Sequence, residues 1–175
     1  MSNESEGLGK PDVELAGLRV WVHGREYPDN LTYWDGNWLD VTIECSAQDA
    51  MVRASGSIVL AWELADLLSG LEKLHSTLSG DYELECMEPH LSLTLKTEKT
   101  GKIEFVVQLT PDIINQKHSF KFDIDQSYLP ETIRQLRELL RTYPVRNAGG
   151  PKAMQWLTTN LPAWVGRLFG VRGSR

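Results

Sequence analysis

Histidine, cysteine and carboxylate side chains are the groups in this 175-residue chain that could bind a metal or carry out proton transfer. The four histidines lie far apart in the sequence and form no local metal-binding pair. The two cysteines, Cys45 and Cys86, have no C-x-x-C or zinc-like spacing and alternate with polar residues. We interpret them as buried free thiols in a reducing cytoplasm, with a disulfide or a reactive thiol as the alternative.

The carboxylates give no pattern that is typical of an enzyme. Glu83 and Glu85 are two residues apart on a predicted strand, which places both side chains on the solvent face, where carboxylates stay ionised. Asp35 and Asp40 do not form a calcium loop, because Leu39 stands where an oxygen ligand is required. The sequence contains no nucleophile, nucleotide-binding or metalloprotease motif. We therefore predict no catalytic residue, no cofactor and no metal site, and an enzyme of unrecognised type stays an alternative.

The charge of the chain is unevenly distributed. The net charge is −6, yet residues 146–175 contain five Lys or Arg and no Asp or Glu, which leaves residues 1–145 with 13 basic and 24 acidic residues, a net charge of −11. An acidic surface repels nucleic acid and attracts a basic protein. We therefore predict a basic protein as the partner, and no nucleic acid. No apolar run reaches the roughly 18 residues of a membrane span, which disfavours a membrane partner.

The hydrophobic periodicity predicts an α+β fold. Apolar and polar residues alternate in seven segments and recur at helical spacing in two others. The predicted strands are residues 18–23, 39–47, 50–59, 81–86, 91–96, 103–109 and 120–125, and the predicted helices are residues 61–78 and 127–143, with Ser127 as the N-cap of the second. Clean alternation is typical of an antiparallel sheet that is covered on one face. We expect one antiparallel sheet of about seven strands with two helices packed on one face.

The two ends of the chain are predicted to lie outside this α+β domain, which we place at residues 17–145. Residues 1–16 are acidic and polar, and we interpret them as a flexible leader that lacks the features of a secretory signal. Residues 146–175 contain a Gly-Gly hinge and then apolar residues at helical spacing, interrupted by Pro162, which predicts a basic amphipathic helical tail. Three roles are open for this tail, namely packing on the domain, forming a homodimer, or contacting an anionic membrane.

Aromatic and acidic residues on the predicted solvent face of the sheet are the candidate binding residues. Tryptophan and tyrosine beside charged groups are typical of interface hot spots. In the alternative interpretation, Trp34 and Trp38 fold under the loop that precedes the second strand and form a local mini-core. The predicted partner-binding residues are Trp21, Tyr33, Trp34, Asp35, Trp38, Asp40, Glu44, Glu83 and Glu85.

Four short segments resemble, in the same order, the successive signatures of WapI-type immunity proteins. They are residues 24–28 (G-R-E-Y-P), 33–39 (Y-W-D-G-N-W-L), 60–64 (L-A-W-E-L) and 87–91 (M-E-P-H-L). The resemblance covers residues 18–144 and ends where the basic tail begins. It implies a small cytoplasmic bacterial protein that binds the toxic C-terminal domain of a contact-dependent toxin, which acts on tRNA in the namesake case. It brings no catalytic residues with it.

The residues and the resemblance together favour a non-catalytic immunity protein that neutralises a cognate basic toxin domain, for example an RNase. Its acidic face would cover the toxin by mimicking the charge of a phosphate backbone. The alternative is a structural or regulatory interaction module that self-associates, or lies on a membrane surface, through its C-terminal tail.

Overall fold

The computed structural model describes residues 7–98 and 101–147, and these residues form eight strands and two α-helices. The α+β class predicted from the sequence is confirmed. In chain order the elements are β1 (Val13–Leu15), β2 (Leu18–Arg25), β3 (Trp38–Ala47), β4 (Ala50–Leu60), α1 (Ala61–Thr77), β5 (Asp81–Glu85), β6 (Leu91–Thr97), β7 (Lys102–Leu109), β8 (Ser119–Asp125) and α2 (Leu129–Thr142).

The strands form two antiparallel sheets of four strands each, in the orders β1-β2-β3-β4 and β5-β6-β7-β8. The expectation of a single sheet of about seven strands is therefore wrong. Alternation along a strand predicts which side chains point inward, but it does not predict which strands pair across an intervening helix. Here β4 and β5 lie on either side of α1 in the chain and belong to different sheets.

The first sheet begins with β1, a strand that the sequence pattern did not predict. Val13 and Leu15 are each 4% exposed, and they pair with Val20 and Leu18 of β2. The prediction of a flexible leader over residues 1–16 is therefore wrong for β1, because three residues are too few for alternation to be recognised. Residues 1–6 of the predicted leader lie outside the described residues.

The apolar faces of the two sheets meet in one hydrophobic core. Leu39 and Ile43 from the first sheet and Leu95 and Phe105 from the second are fully buried in the same cluster. At Gly17, in the turn between β1 and β2, an added Cβ would lie only 2.0 Å from the Ser46 carbonyl oxygen and 2.7 Å from the Phe122 ring. Since the inner faces share this core, the outer faces of the two sheets point away from each other.

The two helices contact each other, and each packs against an edge strand. Tyr82 of β5 lies so close to α1 that a Cβ on Gly70 would be 2.3 Å from its ring. On the other side, the backbone of Glu14 in β1 donates to Gln135 Oε1 at 2.8 Å and accepts from the Thr132 hydroxyl at 2.7 Å, and both of these residues belong to α2. The hydrogen-bonding edge of β1 is thus covered by side chains of α2.

A 3-10 turn at Gln126–Tyr128 leads into α2, so the α-helix begins two residues later than predicted. Asp125 caps this turn, because its carboxylate accepts a hydrogen bond from the Ser127 N–H at 2.8 Å, and the prediction of Ser127 as the N-cap is wrong. Pro130 lies in the first turn, as predicted. The predicted helical tail lies outside the described residues from residue 148 onward.

Candidate partner-binding surface

The predicted site residue Glu44 is paired with arginines. Glu14, Arg19, Glu44 and Arg53 stand in register on the four strands of the first sheet and form a row of alternating charge. The Glu44 carboxylate lies 3.0 Å from Arg19 Nη1 and 2.7 Å from Arg53 Nη2, and its side chain is 2% exposed. The prediction that Glu44 is exposed is therefore wrong, because arginines on both neighbouring strands cover and neutralise it.

Trp21 is also buried, with 5% of its surface exposed. Its indole N–H donates to the Gly9 carbonyl oxygen at 3.1 Å. The segment that contains Gly9 is held against β2 by Asp12, whose carboxylate accepts from the Val22 N–H at 2.7 Å. The prediction that Trp21 is exposed is wrong, because it depended on a mobile leader, whereas residues 9–12 lie along β2.

The nine predicted binding residues do not share one face. Trp38 and Asp40 are half-buried on β3 of the first sheet, whereas Glu83 and Glu85 are exposed on β5 of the second sheet. Asp35 is exposed in the loop between β2 and β3. The single acidic and aromatic face expected from the sequence is divided, because the one sheet on which it depended is two sheets with outer faces that point apart.

Tyr33 and Trp34 belong to an aromatic cluster with Trp62, a residue that the sequence patterns did not single out as a site. The Tyr33 ring stacks on Trp62 with centroids 6.3 Å apart, and Trp34 packs edge-on against Tyr33 at 5.3 Å. All three side chains are half-buried. Burial raises the pKa of Tyr33. This arrangement agrees with the mini-core alternative for Trp34, and it fixes the loop to the first turn of α1.

The β2–β3 loop (residues 26–37) is fastened to the segment that follows α2. Asn37 is fully buried, and its amide donates to the Tyr33 carbonyl oxygen at 2.6 Å and to the Arg146 carbonyl oxygen at 3.1 Å. Its Oδ1 accepts from the Arg146 N–H at 2.9 Å. Arg25 donates to the Gly36 carbonyl oxygen at 2.6 Å and to that of Pro144 at 2.5 Å. The domain boundary predicted after residue 145 therefore falls within a hydrogen-bonded segment.

Glu63 joins the first turn of α1 to the loop after β5. Its fully buried carboxylate accepts from the Leu60 N–H at 2.8 Å and from the Met87 N–H at 2.6 Å. Burial raises the pKa of Glu63, and these backbone hydrogen bonds oppose the effect. A buried carboxylate with a raised pKa is a feature of some active sites, but this one is occupied by backbone donors and has no exposed surface for a substrate.

Both cysteines are buried free thiols, as the sequence predicts. Burial raises the pKa of Cys45 to about 12. Burial and the neighbouring Glu63 carboxylate raise the pKa of Cys86. Both thiols are therefore protonated at neutral pH, which makes them poor nucleophiles and poor metal ligands. Among the described residues there is no group of three or more His, Cys, Asp or Glu side chains that could hold a metal ion.

His90 connects the loop after β5 to the loop between β7 and β8. Its ring Nδ1 lies 2.7 Å from the Thr110 carbonyl oxygen, and its backbone carbonyl accepts from the Thr110 N–H at 2.8 Å. In the β7–β8 loop, Asp112 accepts hydrogen bonds from the backbone of Ile114 and shapes a turn. Ile113 and Ile114 are 50% and 86% exposed at this turn. The sequence patterns did not predict this exposure, although two consecutive isoleucines among turn-forming residues indicate it.

The contacts described above join the four segments that resemble the WapI-type signatures into one connected cluster. Arg25 binds the backbone of Gly36, Tyr33 stacks on Trp62, and Glu63 binds the backbone of Met87. Each segment thus supplies a residue that holds another of the segments in place. These residues therefore stabilise the structure. Their positions depend on packing between elements, which the residue pattern of a single strand does not predict.

Among the predicted binding residues, the carboxylates that are exposed in the structure lie mainly on β5. Asp81, Glu83 and Glu85 alternate with Tyr82 and Leu84, so that their side chains share the outer face of the second sheet. All three are exposed, and no salt bridge within residues 7–98 and 101–147 neutralises them. Lys96 of β6 stands opposite Asp81, whereas uncharged residues stand opposite Glu83 and Glu85, so the row attracts cationic groups chiefly at these two glutamates.

Two open clefts occur on the described surface. One, of about 510 Å³, lies between β1 and α2 and is lined by polar side chains such as Glu131, Thr132 and Gln135. The other, of about 650 Å³, lies between the helices and is lined by Glu72, His75 and other mainly polar residues. Neither has the apolar enclosure that is typical of a small-molecule site. No described helix is long and apolar enough to cross a membrane.

Comparison with solved structures gives matches of low similarity. The plant transcriptional regulator PBF-2 matches with a TM-score of 0.43 and 10% identity over 86% of this chain and 85% of that chain. WHY3 from Arabidopsis thaliana matches with a TM-score of 0.40 and 14% identity over 82% of this chain and 88% of that chain. Similarity at this level carries no functional inference. A comparison with curated proteins gave no significant match.

The sequence profile of the immunity protein WapI-like family matches residues 12–144. This range extends from the start of the first sheet to the end of α2 and includes all four of the connected segments. The chain therefore belongs to the immunity protein WapI-like family.

Proposed function

We propose that this chain is the immunity member of a toxin–immunity pair and that it neutralises a cognate toxin domain by binding it, without catalysis. The family match over residues 12–144 carries this proposal. The exposed and unpaired carboxylates Glu83 and Glu85 support a basic partner, because they attract cations at long range and raise the association rate.

The proposed toxin is a nuclease, with an RNase as the first candidate. Enzymes that act on RNA present basic surfaces to the phosphate backbone. An acidic protein surface can occupy such a surface and exclude the substrate. The buried free thiols Cys45 and Cys86 support a reducing compartment, and we therefore propose that neutralisation takes place in the cytoplasm.

Co-expression with the toxin tests this proposal. The toxin expected for such a pair is the C-terminal domain of a large secreted protein from the adjacent gene, and its expression alone is expected to arrest growth. Expression of this chain should restore growth, and the two proteins should co-elute as a complex. If growth stays arrested while the chain is soluble and abundant, the proposed function is wrong.

Self-association or a membrane contact through residues 146–175 stays a prediction. The tail lies outside the described residues from residue 148 onward, and no observation on the described part favours a second function.

A further inference from the structure

Strand β5 is an edge of the second sheet, because its one sheet neighbour is β6. At the ends of this pairing the Cys86 N–H donates to the Leu91 carbonyl oxygen at 3.3 Å, and the Thr97 N–H donates to the Gly80 carbonyl oxygen at 3.1 Å. Alternate residues of an antiparallel strand make these bonds, so the N–H and C=O groups of the even-numbered residues of β5 point toward β6.

The odd-numbered residues of β5 therefore point their N–H and C=O groups away from β6. These residues are Asp81, Glu83 and Glu85, the same residues whose exposed carboxylates lie on the outer face. Within the part of the chain that the structure describes, no backbone hydrogen bond joins any of them to another segment. The edge thus combines unpaired peptide groups with a row of negative charges.

The edge strand β1 of the first sheet, in contrast, is not open. Its backbone is bonded to Gln135 and Thr132 of α2, which closes that edge. On β5, helix α1 covers the inner face, and the Tyr82 hydroxyl donates to Asp66 of α1 at 2.8 Å. Asp66 is exposed, so a carboxylate also borders the inner side of the open edge.

A second copy of this chain does not fit the open edge. Antiparallel pairing of two β5 strands would place Glu83 and its neighbours opposite carboxylates of the other copy, and like charges directly opposite each other are destabilising. A strand with lysine or arginine at alternate positions would instead place each cation beside Asp81, Glu83 or Glu85.

We propose that an extended basic segment of the toxin adds to β5 as a fifth strand of the second sheet, and this inference rests on the proposed function. The unpaired N–H and C=O groups of Asp81, Glu83 and Glu85 bind the backbone of the added strand, while their carboxylates bind its basic side chains. Peptide hydrogen bonds give the segment its register, and the charges select a basic partner.

Amide hydrogen exchange measured by NMR tests the backbone part of this proposal. The probe is the cognate toxin domain expected from the adjacent gene, in a catalytically inactive form. When it binds, the N–H groups of Asp81, Glu83 and Glu85 should exchange more slowly by about tenfold or more, because they gain acceptors. If the complex forms and these three exchange rates do not change, strand addition is wrong.

Proline variants provide a second test with a matched control. Glu83→Pro removes an N–H that faces the open edge and leaves the pairing with β6 intact. Asp123→Pro makes the corresponding change on β8, at the other edge of the same sheet, where the pairing of Leu109 with His118 directs Asp123 away from β7. Glu83→Pro is expected to raise the Kd for the toxin about tenfold and Asp123→Pro by less than about twofold.

The outcomes separate this inference from the proposed function. If the wild-type chain neutralises the toxin and Glu83→Pro binds as tightly as wild type, the binding surface is elsewhere and strand addition is wrong, while the proposed function stands. If the wild-type chain neither binds nor neutralises the toxin, both proposals are wrong.

Discussion

The fully buried carboxylate of Glu63 accepts a hydrogen bond from the backbone N–H of Met87, 2.6 Å away, and thereby ties the start of α1 to the loop that follows β5. This contact joins two of the four segments that resemble the WapI-type signatures. The two residues are 24 positions apart in the chain, since Glu63 lies in the first turn of α1 and Met87 follows β5.

The titration of Glu63 should affect stability in a direction set by its raised pKa. A group whose folded pKa is higher than its unfolded value of 4.5 contributes stability that is fully present below pH 4.5 and lost as the pH rises through the folded pKa. The free energy of unfolding of the wild type should therefore fall relative to that of Glu63→Gln as the pH rises from about 4 to about 8. Urea unfolding at several pH values measures this difference in the free energy of unfolding. Glu138→Gln, at an exposed site, serves as the control, and parallel curves for wild type and Glu63→Gln would contradict the prediction.

Replacement of the single polar residue Asn37 should strongly destabilise the protein. Asn37→Ala leaves the Tyr33 carbonyl and both backbone groups of Arg146 without their partner. We expect a loss of about 2–3 kcal/mol in the free energy of unfolding, measured with urea. Asn115→Ala, in an exposed turn, should change stability by less than about 0.5 kcal/mol. Equal effects of the two variants would show that the buried amide has no special role.

Two glutamates that pair with Arg19 should differ in their contribution to stability. The side chain of Glu44 is 2% exposed and is bound by two arginines, whereas that of Glu14 is 42% exposed. Removing Glu44 leaves Arg19 and Arg53 to repel each other across one strand, and Glu44→Ala should cost about 2–3 kcal/mol. Glu14→Ala should cost less than about 1 kcal/mol. Thermal and urea unfolding of both variants measure the difference, and a larger effect at Glu14 would contradict it.

Charge reversal on β5 should slow association with the toxin. Glu83→Lys places a positive charge within the acidic row, and we expect the association rate constant to fall about tenfold at low salt, with a smaller effect at high salt. Asp49→Lys makes the same change of charge in the exposed turn between β3 and β4 and should leave the rate constant within about twofold of wild type. Stopped-flow or surface-binding kinetics measure both, and identical rates for both variants would place the contact surface elsewhere.

Two truncations should show where the folded unit ends. A chain that ends at Asn147 keeps the bonds between Arg146 and Asn37, and its free energy of unfolding should match that of the full chain. A chain that ends at Tyr143 loses these bonds and the contact of Arg25 with Pro144, and it should be less stable by about 2–3 kcal/mol. Urea unfolding measures stability, and light scattering measures mass. A lower mass of the Asn147 truncation, beyond that of the removed residues, would support the predicted dimer through the tail.

Local periodicity predicted most of the secondary structure but not the sheet arrangement. Seven of the strands and both helices follow from alternation and from helical spacing, since these patterns record which side of an element is buried. The division into two sheets depends on pairing between strands that are distant in sequence, for which a single sequence provides no measure. The strand β1 was missed because Val13 and Leu15 are too few to establish a period.

Exposure at the candidate site was predicted less well, for reasons that differ between residues. Alternation correctly placed Glu83 and Glu85 on an outer face, where they are exposed. It also placed Glu44 on an outer face, but it could not indicate that Arg19 and Arg53 stand beside it. Trp21 is covered by residues 9–12, a segment with no periodicity. A residue on the outer face of a sheet is therefore exposed only where no other segment of the chain packs over it.

The bond between Asn37 and Arg146 also has a consequence for the order of folding. The two residues are 109 positions apart, so the bond between the β2–β3 loop and the segment after α2 cannot form until residue 146 has left the ribosome. The first sheet and α1 can form from local pairings before that point. A nascent or C-terminally cleaved chain would therefore hold the aromatic loop through the stacking of Tyr33 on Trp62, but without the bonds of Asn37 to Arg146.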